Sequence, residues 1–249
     1  MRIFKNLVAK VQKPKLIQEF SANLEPHSPL YIIGDVHGRI DLLDRILAAG
    51  PQNAQIIFVG DLIDRGEDSS SVLIRVKELC YHGAICLMGN HEKMMLDFLD
   101  NPIERGPRWL RYGGLQTLQN YGIRGVSERA REGALLSARD RLEAVLQAGM
   151  IDWLKNLPLH WSSGNIHVVH AAADPTIALN SQDSRTLLWG ASSFWKQPRT
   201  DGQWVVHGHT VVEEAAAQNG RISIDTGAYA TNVLTAIHIT HGVGEFIST

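Results

Sequence analysis

Chemistry in this chain is concentrated in five short clusters. Asp35 and His37 lie in Gly34-Asp35-Val36-His37-Gly38, and Asp61, Asp64 and Arg65 lie in Gly60-Asp61-Leu62-Ile63-Asp64-Arg65-Gly66. Asn90 and His91 lie in Gly89-Asn90-His91-Glu92, His170 follows an apolar run, and His209 ends His207-Gly208-His209. Singly, each has an ordinary explanation: an Asp-x-His pair caps or decorates a surface, Gly-Asn is a turn signal, and a lone histidine after an apolar run belongs to the core. Together they are a carboxylate, amide and imidazole donor set of the kind that holds divalent Mn, Fe or Zn.

The order of the elements brings these clusters to one place. Residues 30–34 form an apolar run that stops at Asp35, after which Ile40, Leu43, Ile46 and Leu47 recur at helical spacing as far as Gly50 and Pro51. The unit repeats as a strand over 55–60, a helix over 69–80, a strand over 84–88 and a helix from Glu92 that stops at Pro102. This βαβαβ opening predicts a mostly parallel sheet with helices on its faces, and each strand ends where open α/β sheets place their sites. Residues 103–160 read as helical (109–121, 127–148 and 151–157) and carry no second domain start, which predicts an insertion capping the site. Strands over 166–169, 204–207, 222–224 and 233–239, joined by short turns, predict a second, mixed sheet.

With 249 residues, Lys+Arg 24 against Asp+Glu 26, 44% hydrophobic residues and a mean hydropathy of -0.10, the chain is globular and long enough for a sizeable core. A formal net charge of -2 gives no general pull on nucleic acid, and no basic stripe with interleaved aromatics marks a nucleic-acid track. No run reaches the roughly 20 apolar residues of a membrane span, and no signal-peptide pattern is present. Cys80 and Cys86 sit in apolar patterns that suit reduced, buried thiols, so a cytoplasmic location is expected. Residues 1–28 form a separate basic arm, in which Leu7, Val8, Val11, Leu16, Ile17 and Phe20 would line one face of an amphipathic helix. That helix is expected to pack on the domain or fray, with a membrane or partner as the alternative.

The order of motifs resembles the calcineurin-like metallophosphoesterases, and the Asp-Arg-Gly and Asn-His-Glu elements are similar to those of PPP-type phosphoprotein phosphatases of the bacterial and phage branch. The resemblance implies an α/β fold over residues 29–249, with a central β-sandwich of two mixed sheets flanked by helices. It also implies two divalent metal ions, manganese first, with iron, zinc or nickel as alternatives. Asp35 and His37 would bind the first ion, Asp61 would bridge both, and Asn90, His170 and His209 would complete the second. A shared carboxylate suits two cations about 3.5 to 4 Å apart because it offsets their repulsion. The implied reaction is direct attack on phosphorus by a hydroxide bridging the ions, without a phosphoenzyme. His91 would act as general acid with Asp64 orienting it, and Arg65 would grip phosphate oxygens. His209 is preferred to His207 as the ligand, because Gly208-His209-Thr210 fits the PPP-like segment without a shift of register.

Three positions depart from the PPP pattern: Met88 and Ala191 stand where arginines are typical, and Ala172 where glycine is. Arg185 or Arg111 would then help Arg65 with phosphate. Trp109, Arg111, Tyr112, Gly113 and Gly114 read either as a substrate lid or as a capped helix end. Asp225-Thr226-Gly227 reads as structural, Glu92 as a charge serving its helix N-terminus, and Trp153, Trp161, Trp189, Trp195 and Trp204 as core or sheet-face residues.

The expected activity is a PPP-type serine/threonine protein phosphatase acting on phosphoproteins or small phosphoesters. A symmetrical bis(5'-nucleosyl)-tetraphosphatase is the alternative with the same site. An inactive scaffold is the alternative of another class, and retention of His91 and Asp64 beside the ligands argues against it. Neither cysteine lies in a nucleophile motif.

Overall fold

The computed structural model describes residues 20–249, so most of the helix expected in the basic arm lies outside the described residues. The chain opens as the sequence predicts: β1 (Leu30–Ile33), α1 (Ile40–Ala49), β2 (Gln55–Phe58), α2 (Ser69–Tyr81), β3 (Ile85–Cys86) and α3 (Asn90–Asp100). The Asp68 side chain starts α2 by accepting the Ser71 amide, a capping contact. The three strands pair in parallel, with Ile32 beside Ile57 and Phe58 beside Cys86.

The helical stretch that follows differs from its expected outline. A helix, α4 (Pro102–Trp109), starts where the proline was read as a stop, because proline is tolerated at the first helical position and Asn101 caps it through the Glu104 amide. A π-helical segment, Leu110–Gly114, then leads into α5 (Leu115–Asn120), followed by α6 (Glu132–Val145) and α7 (Met150–Lys155). These helices are no cap. Trp109, Leu135, Leu142 and Leu154 pack into one core with Phe98 of α3, on the flank of the first sheet.

The remainder comprises β4 (His160–Ser163), β5 (Ile166–Val169), α8 (Ser184–Trp189), α9 (Ser192–Lys196), β6 (Trp204–His207), β7 (Ala216–Gln218), β8 (Arg221–Ser223), α10 (Ala228–Thr231), β9 (Thr235–Thr240) and β10 (Val243–Ser248). Two five-stranded mixed sheets result, in the orders β10-β9-β1-β2-β3 and β4-β5-β6-β8-β7. The strand expected over 233–239 therefore belongs to the first sheet, pairing antiparallel with β1. Alternation decides the layers: Leu30 and Ile32 face Ile166, Val168, Val206 and Ile222 of the other sheet, while Tyr31 and Ile33 face the helices. Both faces of β1 are buried, as its continuous apolar run requires.

Residues 20–27 run along the second sheet. Phe20 meets Trp204 edge-on at 4.7 Å, the Trp204 indole donates to the Ala22 carbonyl, and the Glu25 amide donates to Asn165. Both cysteines are free, Cys86 buried and Cys80 half-buried. No helix among the described residues is long and apolar enough to cross a membrane.

Candidate functional site

The polar clusters meet at the strand C-termini. Asp35 and His37 follow β1, Asp61 follows β2, Asn90 and His91 open α3, His170 follows β5 and His209 follows β6. The turns are tight enough that His37, Asp61, Asp64, Arg65 and His209 all adopt positive φ, between 45° and 71°. Each such non-glycine residue costs on the order of 1 kcal/mol, which the surrounding structure must impose. Gly208 shows how close the walls are, since a Cβ there would lie 1.9 Å from Asp35 Oδ1.

Glu92 ties the turn after β2 in place. Its buried carboxylate accepts the amides of Leu62 and Ile63 on Oε1, at 2.8 and 3.2 Å, and those of Asp61 and Gly89 on Oε2, at 2.9 and 3.0 Å. It therefore serves more than the start of α3. Burial, and after it the Asp61 charge, push its pKa up to about 7.

Hydrogen bonding leaves imidazole lone pairs aimed at oxygens. His37 Nδ1 donates to the Ile63 carbonyl at 2.7 Å, so its Nε2 carries a lone pair, lies 3.6 Å from Asp61 Oδ2 and has no hydrogen-bond partner. His170 Nδ1 donates to the Val59 carbonyl at 3.0 Å, which leaves Nε2 facing Asn90 Oδ1 at 2.8 Å and Asp61 Oδ1 at 3.4 Å. Burial lowers both histidine pKa values, that of His37 to about 3, which favours the neutral rings whose Nε2 carries a lone pair. Acceptor facing acceptor in a buried site is stable with a cation between them. His209 Nδ1 is 2.7 Å from the same Asn90 oxygen, and its amide donates to Asp35 Oδ2. Donor atoms of His37, Asp61 and His91 form one compact group, and those of Asp61, His170 and His209 a second, with Asp61 common to both. Asp35 belongs to neither, but its buried Oδ1 has no hydrogen-bond partner. The residues present thus fit a pair of divalent cations.

Charge balance argues likewise. Asp35, Asp61 and Asp225 are all buried. Burial, then Asp225 and Asp61, push the Asp35 pKa well up, and burial raises Asp225 to about 6. Asp61 also feels burial, but the rings of His170, His91 and His37 outweigh it and bring its pKa below the ordinary value. Added positive charge at this spot would relieve the carboxylate repulsion.

His91 and Asp64 stand beside this donor set. His91 Nδ1 is 2.7 Å from Asp64 Oδ2, and the opposite ring nitrogen points back to Asp61 at 3.8 Å. Burial lowers the His91 pKa, but Asp61 and Asp64 outweigh it and raise it above the ordinary imidazole value. Two partners that the sequence did not connect to Asp64 hold it: the Trp109 indole donates to Oδ2 at 2.9 Å and the Thr117 hydroxyl to Oδ1 at 2.6 Å. Trp109 is fully buried, so the lid reading fails for it. Gly113 lets the π segment close on this turn, with φ 118° and space for no Cβ, which would sit 2.8 Å from the Arg65 nitrogen. Tyr229 is a further missed residue. Its ring carries the Arg65 guanidinium at 4.7 Å and meets the His37 ring edge-on at 5.3 Å. Only its position in the segment after Asp225 hinted at it.

His207 lies apart from the donor set. It bonds its own chain at the Gly208 carbonyl and the Ser223 hydroxyl, between Phe194 and Trp195. Arg111 reaches Glu128 at 3.4 Å and lines one pocket with Arg65 and Tyr229, whereas Arg185 lines a separate pocket beside α3, apart from Arg65. Asp225 accepts the Gly227 amide and closes its own loop.

A two-sheet sandwich that gathers carboxylates, an amide and imidazoles at its strand ends defines a metal-dependent phosphoesterase. The chain belongs to the calcineurin-like phosphoesterase family, which it matches over residues 28–213. It is 29% identical to the asymmetrical bis(5'-nucleosyl)-tetraphosphatase PrpE of Oceanobacillus iheyensis, over 87% of this chain and 90% of that one. It is 27% identical to a symmetrical bis(5'-nucleosyl)-tetraphosphatase of Ralstonia nicotianae (88% and 90%) and 26% identical to serine/threonine-protein phosphatase 2 of Salmonella typhimurium (90% and 99%). Its fold is similar to that of a crystallised metallophosphoesterase from Sphaerobacter thermophilus, with a TM-score of 0.53, 16% identity and coverage of 89% and 88%. These relatives are phosphoesterase hydrolases, and the chain is a hydrolase of the same kind.

Proposed function

We propose that this enzyme hydrolyses bis(5'-nucleosyl) tetraphosphates. The observation that carries the chemistry is the pair of buried lone pairs, on His37 and His170, aimed at the two oxygens of one carboxylate, Asp61. The substrate reading is supported by likeness to tetraphosphatases over 87% and 88% of the chain. Met88, in place of a PPP arginine, weakens the phosphoprotein phosphatase reading expected from the motifs alone.

Asp35, His37 and Asp61 would hold one divalent ion, and Asp61, Asn90, His170 and His209 the other. When bound, the two ions supply Lewis-acid activation of water and neutralise phosphate charge. The protein's own part is positioning and proton supply. Asp64 accepts the Nδ1–H of His91 and, with Asp61, favours the imidazolium form, whose outer Nε2–H faces the donor set and can supply the proton a leaving oxygen needs. Trp109 and Thr117 keep Asp64 itself from turning. Arg65, parked on Tyr229, presents a planar fork to non-bridging phosphate oxygens.

The deciding experiment strips the protein of metal, restores manganese, and offers diadenosine tetraphosphate, a phosphoserine peptide and p-nitrophenyl phosphate in parallel. Preferential cleavage of the dinucleotide is the expected result. ADP alone marks the symmetrical cut, and ATP with AMP the asymmetrical one. Preferential cleavage of the peptide would replace this reading with the phosphatase one.

A further inference from the structure

α3, α4 and α8 line an open cavity of about 360 Å³ bordered by Lys93, Asp97, Arg108, Arg185, Leu188 and Trp189. Three cations therefore face one carboxylate. That carboxylate is already taken, because Lys93 pairs with Asp97 one helical turn away. Arg108 and Arg185 have no carboxylate partner among the described residues. Arg108 instead sits over the Trp189 ring, its guanidinium carbon 4.3 Å from the centroid. A guanidinium held on an indole face keeps its donor edge free for phosphate, and the half-buried indole offers a surface on which a base can stack.

The cavity is joined to the site by backbone. Lys93 is in the first turn of α3, which Asn90 and His91 open, and the Ala171 amide next to His170 donates to the Leu187 carbonyl of α8 at 2.8 Å. Arg65 and Tyr229 stand on the other flank, beside His37. A phosphomonoester occupies the donor set and reaches neither flank far. A nucleoside polyphosphate extends well past the phosphorus under attack and needs cations and an aromatic face further along. We infer that the Lys93–Arg108–Arg185–Trp189 cavity binds the distal phosphates and base of a nucleoside polyphosphate seated in the site. This rests on the dinucleotide reading for its catalytic consequence and on the cavity's own chemistry for binding.

The test uses the full-length, manganese-loaded enzyme and the variants Arg108→Ala, Arg185→Ala and their combination. Both side chains lie outside the donor set and are exposed, so hydrolysis of p-nitrophenyl phosphate should stay within twofold of the parent and serves as the folding control. For diadenosine tetraphosphate, the double variant should lose at least tenfold in kcat/KM, mostly through KM. ATP inhibition of p-nitrophenyl phosphate hydrolysis should weaken by a similar factor, and Arg108→Lys with Arg185→Lys should restore part of it. An unchanged ATP inhibition constant in the double variant overturns the inference. If the parent enzyme cleaves p-nitrophenyl phosphate but not the dinucleotide, the proposed function falls, and the ATP arm still decides the cavity.

Discussion

Trp109 shows what a single residue contributes when it touches nothing that reacts. Its indole N–H is one of the donors that hold Asp64, which in turn holds His91. Trp109→Phe keeps the ring against Phe98 but removes that donor, a hydrogen bond to a charged group worth about 1.5 to 3 kcal/mol. We expect kcat to fall about tenfold or more with bound manganese unchanged, read by steady-state kinetics alongside elemental analysis; loss of metal in parallel would place Trp109 with the ligands instead. His91→Ala should cost about 10² to 10⁴ in kcat for an alkyl phosphate and much less for p-nitrophenyl phosphate, whose leaving group needs no proton. Equal losses on both would remove the general-acid role. The donor types and the nearness of His91 to Asp64 were readable in the sequence because each cluster is contiguous and ends a strand. The contacts of Trp109, Thr117 and Tyr229 were not, since their partners lie 45, 53 and, for Tyr229 against Arg65, well over a hundred positions away, and no local pattern records such a contact.

At the scale of elements, the turn after β2 and the start of α3 behave as one piece because Glu92 accepts four amides from them. Glu92→Gln would turn an N–H₂ group toward at least one of those donors and leave an amide buried without a partner. We expect a loss of about 2 to 4 kcal/mol of stability, measured by denaturant titration, and weaker manganese binding because Asp61 is on the loosened turn. A variant as stable as the parent would mean that the turn is held by its neighbours alone. The βαβαβ half was legible because its apolar period changes cleanly between strand and helix. Pro102 does follow the end of α3, as its sequence predicts, but it also begins α4, because proline is tolerated at the first helical position and the Asn101 cap starts that helix. β9 was assigned to the wrong sheet because its close spacing to β8 says nothing about β1, the strand it pairs with.

For the molecule as a whole, the donor set joins two sheets that contribute Asp35, His37 and Asp61 on one side and His170 and His209 on the other. Ions bound there link the layers and are lost on unfolding, so manganese at a hundred times its dissociation constant should raise stability by about 2.7 kcal/mol. Differential scanning calorimetry of chelated and reloaded protein reads this as an upward shift in Tm of a few degrees, and Asp61→Asn should abolish most of it. An identical Tm in both forms would argue against the pair of cations.

The pairing of β1 with β9 bears on how the protein is made. Leu30 lies beside Ile239, so one edge of the first strand stays bare while almost the entire polypeptide is still being translated. A nascent chain that has displayed Asp35, His37, Asp61 and Asn90 has four of the six proposed donor residues and an unpaired strand edge, a form prone to sticking to its neighbours on the polysome. His209 and then β9 come late in the chain, adding the last residue of the donor set and covering that edge within a few seconds of each other at about 5 to 20 residues per second. The full donor set would be offered to an ion only once His209 has emerged, and chaperone demand should be greatest before β9 follows.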